Sequence, residues 1–438
     1  MSRRASLLRV RGAVPASLSM TFLANCALAV FGVATSSIAA RLLGVDGRGA
    51  LAAIQVFPTF ISLIGLLGMP DSVVYWLSRD PQRGRTYVAS ATAIAVVAST
   101  AAALIAIPAV PALLHEYPDA VVRGGVAYLI TCPILAVFQV SQQSLRGVQA
   151  FLAWNVTRVA FTGSWLIALL VAAAAGNADA PKVTAIYILV LVVLAPLTVR
   201  VAQRRLTGER SVDRASARAL LRFGLPSVGA SLPQMLNLRL DQLMLTGLVS
   251  ARDLGLYAAA AGWSWAVNPI LQAIALVTFP SVAASDESER RERFLRASRI
   301  GFASAIVVAA VVGLATPLAM ALLYGNDFRD AVPVAVVLVG AGSIFGWAYI
   351  LEEGARGLGL PKLPLQAELT GLVVTIVILF GGVPTFGIIA AAVASVLGYA
   401  TTLVVLILRL RSHESIRIGA LVRLRRSDLG AILPARRG

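Results

Sequence analysis

The stretch NLRLDQLML, Asn237 to Leu245, lies inside a long apolar run yet carries an arginine and an aspartate two residues apart. In a membrane helix each charge is costly and needs a partner or water. Residues two apart on a helix do not face each other, so Arg239 and Asp241 cannot simply neutralise one another. Whether the run is a membrane helix therefore decides the fold, and the rest of the chain answers.

Of the 438 residues, 58% are hydrophobic and 13% charged, and the mean hydropathy is +0.82. A soluble domain carries about 25% charged residues. Half that leaves too little to cover a water-facing surface, and the chain reads as an all-α polytopic membrane protein. Cys26 and Cys132 both sit in apolar runs, and His115 and His413 are the only histidines. That composition gives no disulfide framework and no zinc site. No metal and no cofactor is expected. The basic start and first apolar stretch resemble a signal peptide, but the run continues to Ala40 and others follow, so an uncleaved first helix is expected.

A span needs about 20 mostly apolar residues. Twelve are read, at about 17–40, 49–76, 87–113, 124–145, 152–175, 183–203, 220–249, 255–281, 300–324, 331–351, 364–383 and 386–408. The longest polar connection is Arg204–Arg218, which leaves no room for a soluble domain. With the N-terminus placed in the cytoplasm, 31 of the 38 lysines and arginines fall on inside segments, 6 on outside segments, and Arg239 within a span. That asymmetry is what the positive-inside rule expects of a cytoplasmic-membrane protein with both termini inside. The formal charge of +17 is thereby explained by orientation and anionic lipid, not by nucleic acid, which is excluded as a partner.

The chain also repeats itself. Asp119-Ala120-Val121 matches Asp330-Ala331-Val332 at an offset of 211, and Arg146-Gly147 matches Arg356-Gly357 at an offset of 210. Gly49 loosely matches Gly255. The offset covers six expected helices, so the halves share one orientation. Two parallel six-helix bundles are expected, 1–205 and 206–438, with a site where they meet.

At 100° per residue, Ser227, Ser231, Gln234, Asn237 and Asp241 fall within an arc of about 120°. A polar stripe on a spanning helix faces a cavity or another helix rather than lipid. Arg239 points about 160° from Asp241 and serves a different surface. Gln139, Gln142 and Gln143 lie on adjoining turns ending at Arg146. Asp71 follows Pro70 beside Tyr75 and Trp76, which read as an interfacial belt. Glu352 and Glu353 are spaced to pair with Arg356. ERRERFLRASR, 289–299, reads as a solvated amphipathic lead-in to the ninth span.

ARLLGVDGRGALAAI after the first span, LLRFGLPSVGASLPQMLNLRLDQLMLTGLVSARDLGLYAAAAG across the seventh and eighth, and LLYGNDFRDAVPVAVVLV resemble polysaccharide-type flippases. GLGLPKLPLQAELTGLVV and VPTFGIIAAAVAS are also similar to them. These flippases belong to the multidrug, oligosaccharidyl-lipid and polysaccharide exporter superfamily. The resemblance implies alternating-access movement of undecaprenyl-diphosphate-linked oligosaccharide through a cationic cavity. Arg41, Arg146, Arg239 and Arg356 map to that cationic role, and Gln139, Gln143, Gln234, Asn237 and Asp241 complete the expected cavity lining. The chain would then be a transporter and not an enzyme. Its partners would be the lipid-linked saccharide, the bilayer, and a polysaccharide polymerase or glycosyltransferase.

Three other readings compete. A peptidoglycan lipid-precursor flippase shares the fold. A drug or cation exporter would favour intramembrane acids such as Asp71 and Asp241. A membrane-embedded polymerase or glycosyltransferase calls for a large outside loop, and the outside loops here are short. No nucleotide-binding loop of the G-x-x-x-x-G-K-[ST] type occurs, so drive must come from an ion gradient, substrate imbalance or a partner.

Overall fold

The computed structural model describes residues 2–414 and 416–429. Side chains are described from Leu23 onward, except those of Ala230, Ser231, Arg426 and Leu429. The expected cytoplasmic arginines Arg3, Arg4, Arg9 and Arg11, and the stripe member Ser231, lie outside the described side chains. Every regular element among the described residues is helical. Packing divides the chain into Met1–Ala230 with Ser250–Gly255, and Ser231–Val249 with Leu256–Gly438.

In the N-terminal unit, α1 runs Ser2–Gly65 and is broken at Gly44, where φ is 67° and ψ −175°. Then come α2 (Met69–Arg79), α3 (Gly84–Ala106), the single turn α4 (Ala109–Leu113), α5 (Asp119–Ile130), α6 (Cys132–Gly147), α7 (Phe151–Ala174) and α8 (Ala180–Gln203). The expected second span is broken at Leu67 and Gly68, both at positive φ. The reason is steric: a Cβ on Gly68 would lie 2.2 Å from the Gly224 carbonyl oxygen. That carbonyl belongs to α9 (Arg214–Asn237), whose first half packs on α2. Ser72 donates to the Leu220 carbonyl at 2.8 Å, and Tyr75 stacks on Phe223 at 4.1 Å. Tyr75 and Trp76 thus join two helices, with the Trp76 indole donating to the Ala219 carbonyl at 3.3 Å.

The connection between α8 and α9 is pinned rather than loose. Thr86 donates to the Glu209 carbonyl at 2.9 Å, and the Arg85 amide to the Thr207 carbonyl at 3.0 Å. Asp213 accepts from the Ser216 amide at 2.7 Å at the head of α9, and these Ser216 bonds hold its carboxyl below the usual range.

The C-terminal unit holds α10 (Leu240–Leu248), α11 (Ala251–Ser264, from Leu256), α12 (Asn268–Ala283), α13 (Glu287–Ala319), α14 (Val332–Gly357) and α15 (Lys362–Glu414). The short α16 (Ile418–Val422) and α17 (Arg426–Leu429) follow. α15 is two antiparallel arms joined at Gly387, where φ is 57° and ψ −138°. The arms approach so closely that a Cβ on Gly371 would lie 2.7 Å from the Gly398 carbonyl oxygen. The core of this unit gathers Leu271, Phe294, Ile350, Leu406, Leu410 and Leu421.

Eight helices among the described residues are long and apolar enough to cross a membrane, nine if the 43° bend between α5 and α6 is one crossing. The twelve expected differ from this count where helices are run together, at Gly44 and Gly387, or broken. The seventh span, expected over 220–249 with its regularity interrupted at Pro226 and Pro233, is broken instead at Leu238–Arg239, where Arg239 has φ −140° and ψ −10°. The 289–299 segment is the first third of α13; Glu289 and Arg291–Arg293 are exposed as expected, whereas Phe294, Leu295, Ser298 and Arg299 are buried. Leu314, Ile105, Val97 and Phe386, 70–84% exposed, show the apolar exterior that only lipid tolerates at this density.

Candidate functional site: two polar clusters in the apolar helices

The break at Leu238–Arg239 sorts the charges of the opening stretch. Asp241, in the first turn of α10, is buried and Arg239, capping it, is exposed. The Asp241 carboxylate accepts from the Tyr257 hydroxyl, from Ser395 at 3.2 Å and from the Gln242 amide at 2.7 Å. A buried carboxylate held by such donors is satisfied without a cation. Arg239 lies over the Trp265 ring at 5.6 Å. The two therefore have different direct partners.

One turn earlier, Asn237 is 1% exposed and ties three strands of helix together. Its Nδ2 donates to Glu368 Oε2 at 2.8 Å, and its Oδ1 accepts from Thr375 at 3.0 Å. Its backbone carbonyl accepts from the Tyr399 hydroxyl at 3.2 Å. Gln234 Nε2 donates to Glu352 Oε2 at 3.3 Å. Glu352 and Glu368, 1% and 5% exposed, set their carboxyl groups against each other. Arg356 closes the cluster, 2.5 Å from Glu353 and 3.9 Å from Glu352, the spacing expected from the sequence. So Gln234, Asn237 and Arg356 come together around Glu352, already expected beside Arg356, and Glu368, which the sequence pattern did not single out. Glu368 was detectable, because it is a lone acid in an apolar run like Asp241.

The second cluster is in the N-terminal unit, where α6 ends and α7 begins. Arg146 is exposed, and its guanidinium carbon lies 5.5 Å from the Trp154 ring centroid. Arg158, two turns into α7 and half-buried, lies over the same ring at 4.5 Å. It donates to Asn25 Oδ1 on α1 at 3.0 Å and to Asn155 Oδ1 at 3.3 Å. Neither arginine has a carboxylate partner among the described residues. Gln142 Nε2, Gln143 Oε1 and the Trp154 indole nitrogen are buried with no hydrogen-bond partner. Gln139 is half-buried on the same helix. Nothing in the sequence pattern singles out Arg158 or Trp154, since an arginine near the inner end of a span reads as one more inside charge.

The remaining predicted positions stand apart from these clusters. Arg41 is exposed on α1, three residues before the Gly44 break. The stripe is divided between the units. Its first member, Ser227, donates to Asp71 in the N-terminal unit at 3.1 Å. A groove of about 470 Å³ lined by Ile134, Val137, Val192, Ala195, Pro196, Val199 and Arg200 is nearly all apolar and holds none of the candidate residues.

Residues 38–333 match the profile of a family described as polysaccharide biosynthesis protein. A probable low-salt glycan biosynthesis flippase, Agl15 of Haloferax volcanii, is 24% identical over 210 residues, spanning 46% of this chain and 44% of that protein. This chain thus aligns with less than half of that relative's length. The lipid II flippase MurJ in an inward closed conformation is similar in fold, with a TM-score of 0.73 and 13% identity, covering 91% of this chain and 88% of that one. An inward-facing multidrug resistance MATE family transporter of the MOP superfamily gives 0.69 and 16%, covering 89% and 94%.

Proposed function

The chain belongs to the polysaccharide biosynthesis protein family, and from that premise we propose that it flips a lipid-linked oligosaccharide across the cytoplasmic membrane. The head group would be a glycan joined through diphosphate to undecaprenyl, carried by alternating access between two halves with both termini inside. The observation that carries this reading is the family match over residues 38–333 of an all-helical, apolar-surfaced chain. The relative's description as a glycan biosynthesis flippase supports the substrate class.

The physical problem is a charged, hydroxyl-rich head in some 30 Å of hydrocarbon. Arginine offers bidentate phosphate contacts, and Gln and Asn side chains bond sugar hydroxyls. Arg146 and Gln143 have groups left over for such a role, and Arg41, Arg239, Arg356, Gln139, Gln234, Asn237 and Asp241 are the further positions proposed to line the path. A cation exporter is less well supported, since Asp241 is already held by three donors. The likeness to a lipid II flippase is one of fold and carries no substrate.

The test is a strain lacking this protein. Lipid-linked oligosaccharide should accumulate in the cytoplasmic leaflet, and the restored chain should clear it. Unchanged export of the glycan in the deletion strain, with no accumulation, would reject the reading.

A further inference from the structure

We infer that Arg146, Arg158 and Trp154 form a diphosphate-recognition site lying wholly within the N-terminal unit. The inference rests on the flippase reading for its ligand and on geometry for its place.

Two guanidinium groups lie over one indole ring, at 5.5 and 4.5 Å from its centroid. Like charges gathered this closely repel, and a protein normally inserts a carboxylate between them. None stands there among the described residues. The contrast with Arg299 is direct, because that arginine has both Asp428 and Glu292 within 2.7 Å. An anion from outside the chain would supply what is missing. The ring explains how the pair is tolerated without one, since a guanidinium over an indole face gains cation–π attraction.

The placement is more than an interfacial belt of arginine and tryptophan. Arg158 sits about 10 Å along α7 from its start, at 1.5 Å per residue. Its guanidinium is oriented by two amide oxygens, Asn25 Oδ1 on a different helix and Asn155 Oδ1 on its own. An arginine held by neutral acceptors keeps its charge and its remaining donors for a ligand. The Trp154 indole N–H is buried and unpartnered, a further donor at the same ring. Such a group left unbonded is costly unless something completes it.

A diphosphate matches the number of cations. It offers two anionic centres, one for each guanidinium held at the Trp154 ring, through charge-assisted bonds of about 2.8 Å. A single phosphate would supply only one such centre.

The experiment uses the full-length protein in detergent micelles and native mass spectrometry of its complex with undecaprenyl diphosphate. R146Q and R158Q should each weaken binding about ten-fold, R146K and R158K less, because an ammonium lacks the planar fork. W154L should weaken it and W154F should weaken it less, since phenylalanine keeps the ring face. R293Q, at an exposed surface pair, should bind as the parent does. Undecaprenyl monophosphate should bind several-fold more weakly, and phosphatidylglycerol should not displace the diphosphate.

Binding within two-fold of the parent in folded R146Q/R158Q would overturn the proposal. So would equal displacement by phosphatidylglycerol, which would make this a bilayer anchor, or equally tight binding of inorganic pyrophosphate, which would make it a site for a free anion. If the glutamine variants unfold, the lysine and W154L variants decide: unchanged affinity in all of them rejects the site. Diphosphate binding without glycan export would reject the flippase reading alone. Normal export in folded R146Q/R158Q would reject this site alone.

Discussion

Arg146 and Arg356 occupy the same place in two copies of one helix ending, yet only Arg356 is neutralised. Each precedes the glycine that closes its helix, Gly147 of α6 and Gly357 of α14. Two residues on, Gln149 and Gly359 both take positive φ, 59° and 84°. The closing bonds repeat as well: the amide of Ala150 bonds the Leu145 carbonyl at 2.8 Å, and that of Leu360 the Ala355 carbonyl at 2.9 Å. Against this shared backbone, Arg356 is paired with Glu353 while Arg146 lies over Trp154. Identical backbones thus carry different electrostatics, which makes the two positions separable by mutation.

Arg356→Gln should lower the thermal stability of the purified protein. It leaves Glu353 and the buried Glu352 without their cation, at about 1–3 kcal/mol for an unsatisfied buried group. Arg146→Gln should change stability by no more than about 0.5 kcal/mol, as for an exposed side chain without such a partner. Thermal unfolding in one detergent compares them, and equal losses would contradict the assignment of a paired and an unpaired arginine.

The C-terminal segment should be clamped to α13 by Arg299 and Asp428. Both are fully buried, joined at 2.7 and 2.9 Å, and Leu421 enters the core beside them. Asp428→Asn should loosen the segment at a cost of about 1–3 kcal/mol, because the buried guanidinium keeps only Glu292 as a carboxylate partner. Replacing both by apolar residues should restore much of the loss. Proteolysis of the segment reads the outcome.

The same pair predicts a pH dependence. The Arg299 guanidinium holds the Asp428 carboxyl down at about 2. The unfolded value is about 3.9. A depressed carboxyl stabilises above the unfolded value, and that contribution is lost as pH falls through the folded one. Release of the segment, followed by a fluorophore at Ser427→Cys, should be absent above about pH 4 and grow toward pH 2. Release that begins on raising the pH would contradict the sign.

Gly49→Ala or Gly255→Ala should destabilise the N-terminal unit. A Cβ on Gly49 would lie 1.8 Å from the Ala251 carbonyl oxygen, and one on Gly255 2.0 Å from that of Val45. Both obstacles are backbone, so the helices must part, at about 1–3 kcal/mol each. A melting temperature equal to the parent's would show that the helices approach less closely.

Both termini should face the cytoplasm. In a Cys26→Ala/Cys132→Ala background, Ser2→Cys and Ser427→Cys should resist membrane-impermeant thiol reagents in intact cells and react after lysis. Labelling of either from outside would reject that topology.

Much of this was legible in the chain itself. The membrane class follows from composition, because hydropathy and charge are sums over residues that no packing alters. The matched Arg-Gly pairs found by offset do end equivalent helices, because a helix ending is a local backbone event with a local signature. Lone polar residues in apolar runs marked Asn237 and Asp241 as needing partners, since an unsatisfied group in hydrocarbon is too costly to leave.

Tertiary structure decided who those partners are. Asn237 meets Glu368 and Thr375, and Gln234 meets Glu352, across more than a hundred residues of chain. No helical period relates such positions; only the packing of α9, α14 and α15 does. The break at Leu238–Arg239 ended the uniform 100° step on which the stripe was drawn, and the boundary of the packing units, between Ala230 and Ser231, separately set Ser227 apart from the rest. The burial of Arg299 and the bare charge of Arg146 and Arg158 follow the same cause. A residue's charge is written in its side chain, but whether it is neutralised depends on what another helix brings within about 4 Å.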